Sequence, residues 1–167
     1  MGALRLFLIA GEPSGDRLGA ALMAGLKTLA PDTVFEGVGG AMMETEGLQS
    51  RFPMEELSVM GLMEVLPKYR HLKRRIAETA AAVVASAPDA LITIDSPDFT
   101  LRVARAARAA RPHLRTIHYV APSVWAWRPG RAAKMAEGFD GTLAKPFRRD
   151  NFLAILAEIG KLPDEQA

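Results

Sequence analysis

Three short segments concentrate the residues able to do chemistry. The first is Gly11–Asp16, reading GEPSGD. Its glycines permit positive φ or a close backbone approach, and free amides at a helix start can hold a phosphate or carboxylate. Glu12 and Asp16 would repel an anion at close range and suit sugar hydroxyls or proton transfer. The same residues also serve as a tight turn with Asp16 capping the helix. The second segment, Asp95–Phe99 (DSPDF), sets two carboxylates three residues apart directly after an apolar run. A carboxylate there acts as general base on a hydroxyl when burial raises its pKa. In the competing reading Asp95 or Ser96 caps the next helix and Asp98 is solvated. The third, Tyr119–Arg128 (YVAPSVWAWR), holds both tryptophans of the chain, Trp125 and Trp127. Two residues apart on an extended backbone, they point the same way. Paired aromatic faces suit sugar or lipid, and Arg128 and Arg131 suit phosphate; core packing competes with that reading.

The elements that must position these segments alternate. Apolar runs predict strands at Leu4–Ala10, Thr33–Val38, Ala90–Ile94, Arg115–Val120 and Gly141–Ala144. Helical spacing predicts helices over Asp16–Ala30, Lys68–Ala87, Phe99–Ala110, Arg128–Glu137 and Asn151–Ile159, with a short turn over Ala41–Gly47. Gln49–Gly61 stays ambiguous because Pro53 interrupts it. Strands alternating with helices predict an α/β domain, a Rossmann-like parallel sheet flanked by helices. Ligands in such sheets bind at the carboxyl ends of the strands. Gly11–Asp16, Gly39–Met42, Asp95–Phe99 and Ala121–Arg128 all follow strands, so one sheet edge should carry them all.

Composition narrows the chemistry further. The 167 residues suit one domain, 49% of them are apolar, and there is no cysteine, which excludes a disulfide framework, thiolate metal sites and a cysteine nucleophile. His71, His113 and His118 lack metal-ligand spacing, so no metal is expected; a lone histidine on a strand, such as His118, reads as structural. Net charge is +2 with pI near 9.1, but between Phe99 and Ala136 eight basic residues occur with no acidic one. Arg102, Arg105, Arg108 and Arg111 form a helical stripe, and Lys68–Arg75 adds a cluster just after the apolar Leu62, Met63, Val65 and Leu66. Such faces are either solvated or meet phosphates and anionic membrane surfaces. No nucleic-acid motif is present. The longest uncharged run, Thr116–Trp127, contains Pro122 and is shorter than the roughly 20 residues a membrane span needs.

Taken together, the segments resemble the lipid-A-disaccharide synthase family, glycosyltransferases of lipid A biosynthesis. The carrying residues are Ala10–Ala20 (AGEPSGDRLGA), Gly37–Met42 (GVGGAM), Leu57–Leu66 (LSVMGLMEVL), Ile94–Phe99 (IDSPDF) and His118–Arg131 (HYVAPSVWAWRPGR). The resemblance covers roughly Leu4 to Leu143.

That resemblance implies the N-terminal domain of a two-domain, GT-B type glycosyltransferase. It implies inverting transfer of diacylglucosamine from UDP-diacylglucosamine to diacylglucosamine 1-phosphate, without cofactor, in the cytoplasm at the inner face of the cytoplasmic membrane. Asp98 becomes the candidate base for the acceptor 6-hydroxyl, with Glu12 and Asp16 as further catalytic candidates. Ser14, Gly15, Met60, Gly61, Ser123, Trp125, Trp127, Arg128 and Arg131 become candidates for substrate binding. Residues 1–144 would form the acceptor-side domain and 145–167 a divergent tail. The family chain is about twice this long, so the UDP-binding half is expected on another chain or to be lost, and self-association is expected. The alternative is a non-catalytic module binding a lipid phosphate or the membrane. A nucleotide-binding oxidoreductase is disfavoured, since GxGxxG is absent and no acidic residue closes the second strand. Thr100 stands where the family reads Asn, Ala121 where it reads Ser, and Lys145–Arg148 where it reads Leu-Pro-Phe-Glu.

Overall fold

Strand β1 (Arg5–Ile9) is the hub of the sheet. Leu6, Phe7, Leu8 and Ile9 are all buried, which a strand achieves only when both sheet faces are covered. Leu6 and Leu8 pack on one face with Leu22, Met23 and Leu26 of helix α1 (Pro13–Leu29). Phe7 and Ile9 pack on the other with Val83 of α4 (Pro67–Ser86) and Val103 and Ala107 of α5 (Pro97–Ala110). A two-residue period feeding two cores is the physical content of the continuous apolar run. The computed structural model that shows this describes residues 3–58, 67–120 and 139–144.

The other strands are β2 (Val34–Val38), β3 (Ala90–Thr93), β4 (Arg115–Val120) and β5 (Gly141–Ala144). All pairings are parallel, and the order is β2-β1-β3-β4-β5. The chain steps from β1 to β2 on one side, then returns to place β3 on the other. The β1–β3 boundary is therefore the topological switch point, where loops leave in opposite directions and open a crevice at the carboxyl ends. Two short helices, α2 (Ala41–Thr45) and α3 (Glu55–Ser58), follow β2.

The five predicted strands are all present, within one residue at each end. The helix starts differ. α1 begins at Pro13, three residues before Asp16, because extended Glu12 (φ −136°, ψ 155°) takes the cap position and proline fits the first turn. α5 likewise begins at Pro97 rather than Phe99. Within the ambiguous Gln49–Gly61 stretch, the described residues 49–58 form a bridge from Ser50 to Gly37, followed by α3. The predicted helices Arg128–Glu137 and Asn151–Ile159 lie outside the described residues.

Candidate functional site

The loops after β1, β2 and β3 meet at the carboxyl edge of the sheet, and two aspartates join them. Asp95 follows β3 and turns its carboxylate to the β1–α1 loop. Its Oδ1 accepts the Gly11 amide at 2.6 Å and its Oδ2 the Glu12 amide at 3.1 Å. Asp16, 5% exposed on α1, reaches the next loop along. Its Oδ1 accepts the amides of Gly40 and Met43 at 2.9 and 3.0 Å, and its Oδ2 accepts that of Met42 at 3.0 Å. Asp16 is thus not the cap of its own helix; it satisfies the otherwise orphaned amides that start α2.

Close approach dictates two glycines. A Cβ built at Gly15 would lie 1.8 Å from Asp95 Oδ2, and one at Gly11 would lie 2.1 Å from Ser96 Oγ. The GEPSGD spacing therefore serves the packing of α1 and β1 against the β3 turn. Ser96 itself is left-handed (φ 45°, ψ 55°), a conformation that costs a non-glycine residue about 1–2 kcal/mol. Buried Thr100 supports the turn by placing its hydroxyl 3.1 and 3.2 Å from the carbonyl oxygens of Asp95 and Ser96. Strain held in this way clusters at functional sites.

The electrostatics separate the two carboxylates of DSPDF. Burial pushes the Asp95 carboxyl up to about 7, against the opposing pull of the Gly11 amide and the Ser96 hydroxyl; the nearby Glu12 charge adds to the rise. Asp98 is exposed in the first turn of α5. Neither Asp95 nor Ser96 makes a side-chain cap on α5. Glu12 and Ser14 are exposed at the same edge, and Gly15 is buried beneath them. Asp95 is the residue that spacing alone passes over, since two carboxylates three apart do not announce which one turns inward. It stands one residue past the all-buried β3, beyond buried Ile94, where the fold sets it against Gly11 and Gly15.

His118 stands on β4 beside Thr93 of β3. It is buried, its Nδ1 lies 2.6 Å from Thr93 Oγ1, and its ring stacks on Phe139 at 5.0 Å. Burial lowers its pKa to about 4. The basic residues divide by role. Arg108 lies 3.4 Å from Asp140, while Arg102 and Arg105 are exposed. Arg75 makes a two-pronged bond to Glu56 at 2.8 and 2.9 Å and lies over Phe52. Met60, Gly61, Ser123, Trp125, Trp127, Arg128 and Arg131 lie outside the described residues. Among the described residues no cluster of metal-ligating side chains occurs, and no helix is long and apolar enough to cross a membrane.

Comparison with known proteins finds relatives over most of the chain. The family model described as lipid-A-disaccharide synthetase matches residues 6–152. The lipid-A-disaccharide synthase of Ruegeria pomeroyi is 71% identical over 141 residues, covering 84% of this chain and 35% of the relative. That of Rhodopseudomonas palustris strain HaA2 is 55% identical over 150 residues, covering 89% and 38%. The chain thus spans just over a third of the length of these relatives. Among solved structures, Staphylococcus aureus MnaA in complex with UDP shares the fold, with a TM-score of 0.54 at 12% identity over 96% of this chain and 41% of that one. The likeness is one of fold, a Rossmann-like parallel sheet flanked by helices. With a family match over most of its length and relatives this similar, the chain belongs to the lipid-A-disaccharide synthase family, glycosyltransferases of lipid A biosynthesis.

Proposed function

We propose that this chain forms the acceptor side of a lipid-A-disaccharide synthase. The donor is UDP-diacylglucosamine and the acceptor diacylglucosamine 1-phosphate. The acceptor 6-hydroxyl attacks the anomeric carbon as its bond to the diphosphate breaks, so the configuration inverts and UDP leaves. Asp98 takes the hydroxyl proton. The observation that carries the reading is the meeting of the Glu12 and Asp98 loops at the β1–β3 switch point, in a chain of this family. Exposed carboxylates there suit hydroxyl binding and proton transfer. Glu12 and Ser14 would face the acceptor sugar, with Gly15 beneath them. Asp16 serves by holding the Gly40–Met43 backbone in place. Met60 and Gly61 would meet acyl chains, while Ser123, Trp125, Trp127, Arg128 and Arg131 would shape the sugar and phosphate subsite.

The donor side is proposed to come from polypeptide outside these 167 residues, in the same chain, in a partner, or through self-association. The exposed basic residues of α4 and α5 would face the inner surface of the cytoplasmic membrane.

Titrating the chain with micelle-dispersed diacylglucosamine 1-phosphate tests the acceptor assignment. Binding should weaken about 10-fold or more in Arg128→Ala, the effect of losing a charge-assisted hydrogen bond, and persist in Asp98→Asn. Equal binding of the lipid lacking its phosphate would count against the assignment.

A further inference from the structure

Arg75 is set apart from its basic neighbours on α4. Arg70 and Lys73 are exposed, whereas the Arg75 side chain is only 20% exposed. Each of its guanidinium nitrogens donates to a carboxylate. Nε and Nη2 reach the two oxygens of Glu56 on α3 at 2.8 and 2.9 Å, and Nη1 reaches Glu78 at 3.0 Å. A planar fork fixes a carboxylate in direction as well as distance, which a lysine cannot do. His71 Nε2 lies 2.8 Å from the same Glu56 carboxylate. Arg74 Nη2, a donor only, lies 3.0 Å from His71 Nδ1, so Nδ1 accepts and Nε2 carries the proton given to Glu56. The bonds from Arg75 and then His71 hold the Glu56 carboxyl below its ordinary value.

The same guanidinium lies over the ring of Phe52, 4.5 Å from its centroid. Phe52 in turn meets Phe99 edge to face, with centroids 6.5 Å apart and ring planes at 80°. Both rings are buried in the core they share with Leu57 of α3 and Val83 of α4. Phe99 is the residue after Asp98 in the first turn of α5. A continuous path of contacts therefore runs from the Glu56–Arg75 pair to the turn that carries the proposed base. Close-packed interiors transmit small displacements, and a misplacement of about 1 Å at a reacting group slows a reaction severely. Resting on the acceptor-side reading and deepening it, we propose that Arg75 is a positioning residue for the reaction. Its fork fixes α3 on α4, and through Phe52 and Phe99 it sets where Asp98 stands.

The test places two readouts on Arg75→Lys, which keeps the charge and loses the fork, and on the milder Glu56→Gln. Leu26→Val, in the core on the opposite face of the sheet, controls for lost stability alone. On the isotopically labelled 167-residue chain, NMR reads the Asp98 carboxyl and the Phe99 and Thr100 amides. All three should shift in Arg75→Lys and Glu56→Gln and stay in place in Leu26→Val. Changes confined to α3 and α4 overturn the proposal, because the pair would then only anchor α3. Turnover is read as UDP release from UDP-diacylglucosamine and diacylglucosamine 1-phosphate by the chain with its donor-side polypeptide. In Arg75→Lys, kcat should fall about 10-fold or more while the KM for the acceptor stays within about two-fold. Phe52→Leu should lose kcat similarly, and adding Arg75→Lys to it should cost little more, as for residues on one path. An equal fall of kcat in Leu26→Val overturns the positioning role, and so do losses that multiply in the double variant. If Arg75→Lys does not fold, Glu56→Gln decides by the same readouts. Absence of UDP release by wild type counts against the acceptor-side reading, while the NMR shifts still decide the path to Asp98.

Discussion

At the scale of single residues, two buried groups pull stability in opposite directions with pH. Asp95 has its folded pKa raised from 3.8 to about 7. Its contribution to stability is complete below the unfolded value and is lost as pH rises through about 7. His118 has its folded pKa lowered from 6.5 to about 4. Its contribution is complete above the unfolded value and is lost as pH falls through about 4. Between about pH 4 and 6.5 the two slopes oppose each other. Substitution should unmask each one. In Asp95→Asn, the urea midpoint should rise more steeply with pH than in wild type across this window. In His118→Gln it should instead fall with rising pH. Urea melts at a series of pH values check this, and parallel profiles for all three proteins would contradict it. The sequence disclosed that DSPDF carries two carboxylates. It did not disclose which one the β1–α1 loop captures, because that depends on a contact 84 residues distant in the chain.

At the scale of elements, the strands were legible because each is an apolar run that must feed two cores. The helix starts were less so. Asp16 satisfies the local rule for a cap, yet a proline three residues earlier starts the helix and frees the carboxylate for a tertiary task. That task is the start of α2, which has only five residues and cannot sustain itself as an isolated helix. Asp16→Ala would leave the amides of Gly40, Met42 and Met43 without their acceptor. It should destabilise the fold by about 1–3 kcal/mol and accelerate hydrogen exchange at those amides more than at the β1 amides of Leu6–Ile9. Uniform acceleration would mean that Asp16 holds the whole domain rather than this loop. α3 was not legible from local pattern, since four residues carry no period. Its anchor is the tertiary pairing of Glu56 with Arg75 and His71 of α4.

At the scale of the whole molecule, the edge shared by the β1, β2 and β3 loops follows from strand order, which periodicity does not encode. The prediction that post-strand segments share one edge holds for Gly11–Asp16, Gly39–Met42 and Asp95–Phe99; Ala121–Arg128 lies outside the described residues. The β2-β1-β3 order adds what the segments alone lacked, a switch point between the loops that carry Glu12 and Asp98. Family membership then gives that crevice a proposed reaction.

The central claim is that this crevice deprotonates the acceptor hydroxyl through Asp98. The most direct measurement is UDP release from UDP-diacylglucosamine and diacylglucosamine 1-phosphate by the purified chain, alone and with its donor-side polypeptide, comparing wild type with Asp98→Ala. The account predicts release that falls by about 100-fold or more in the variant, the scale of general-base catalysis, with acceptor binding retained. Release undiminished by the substitution would contradict it.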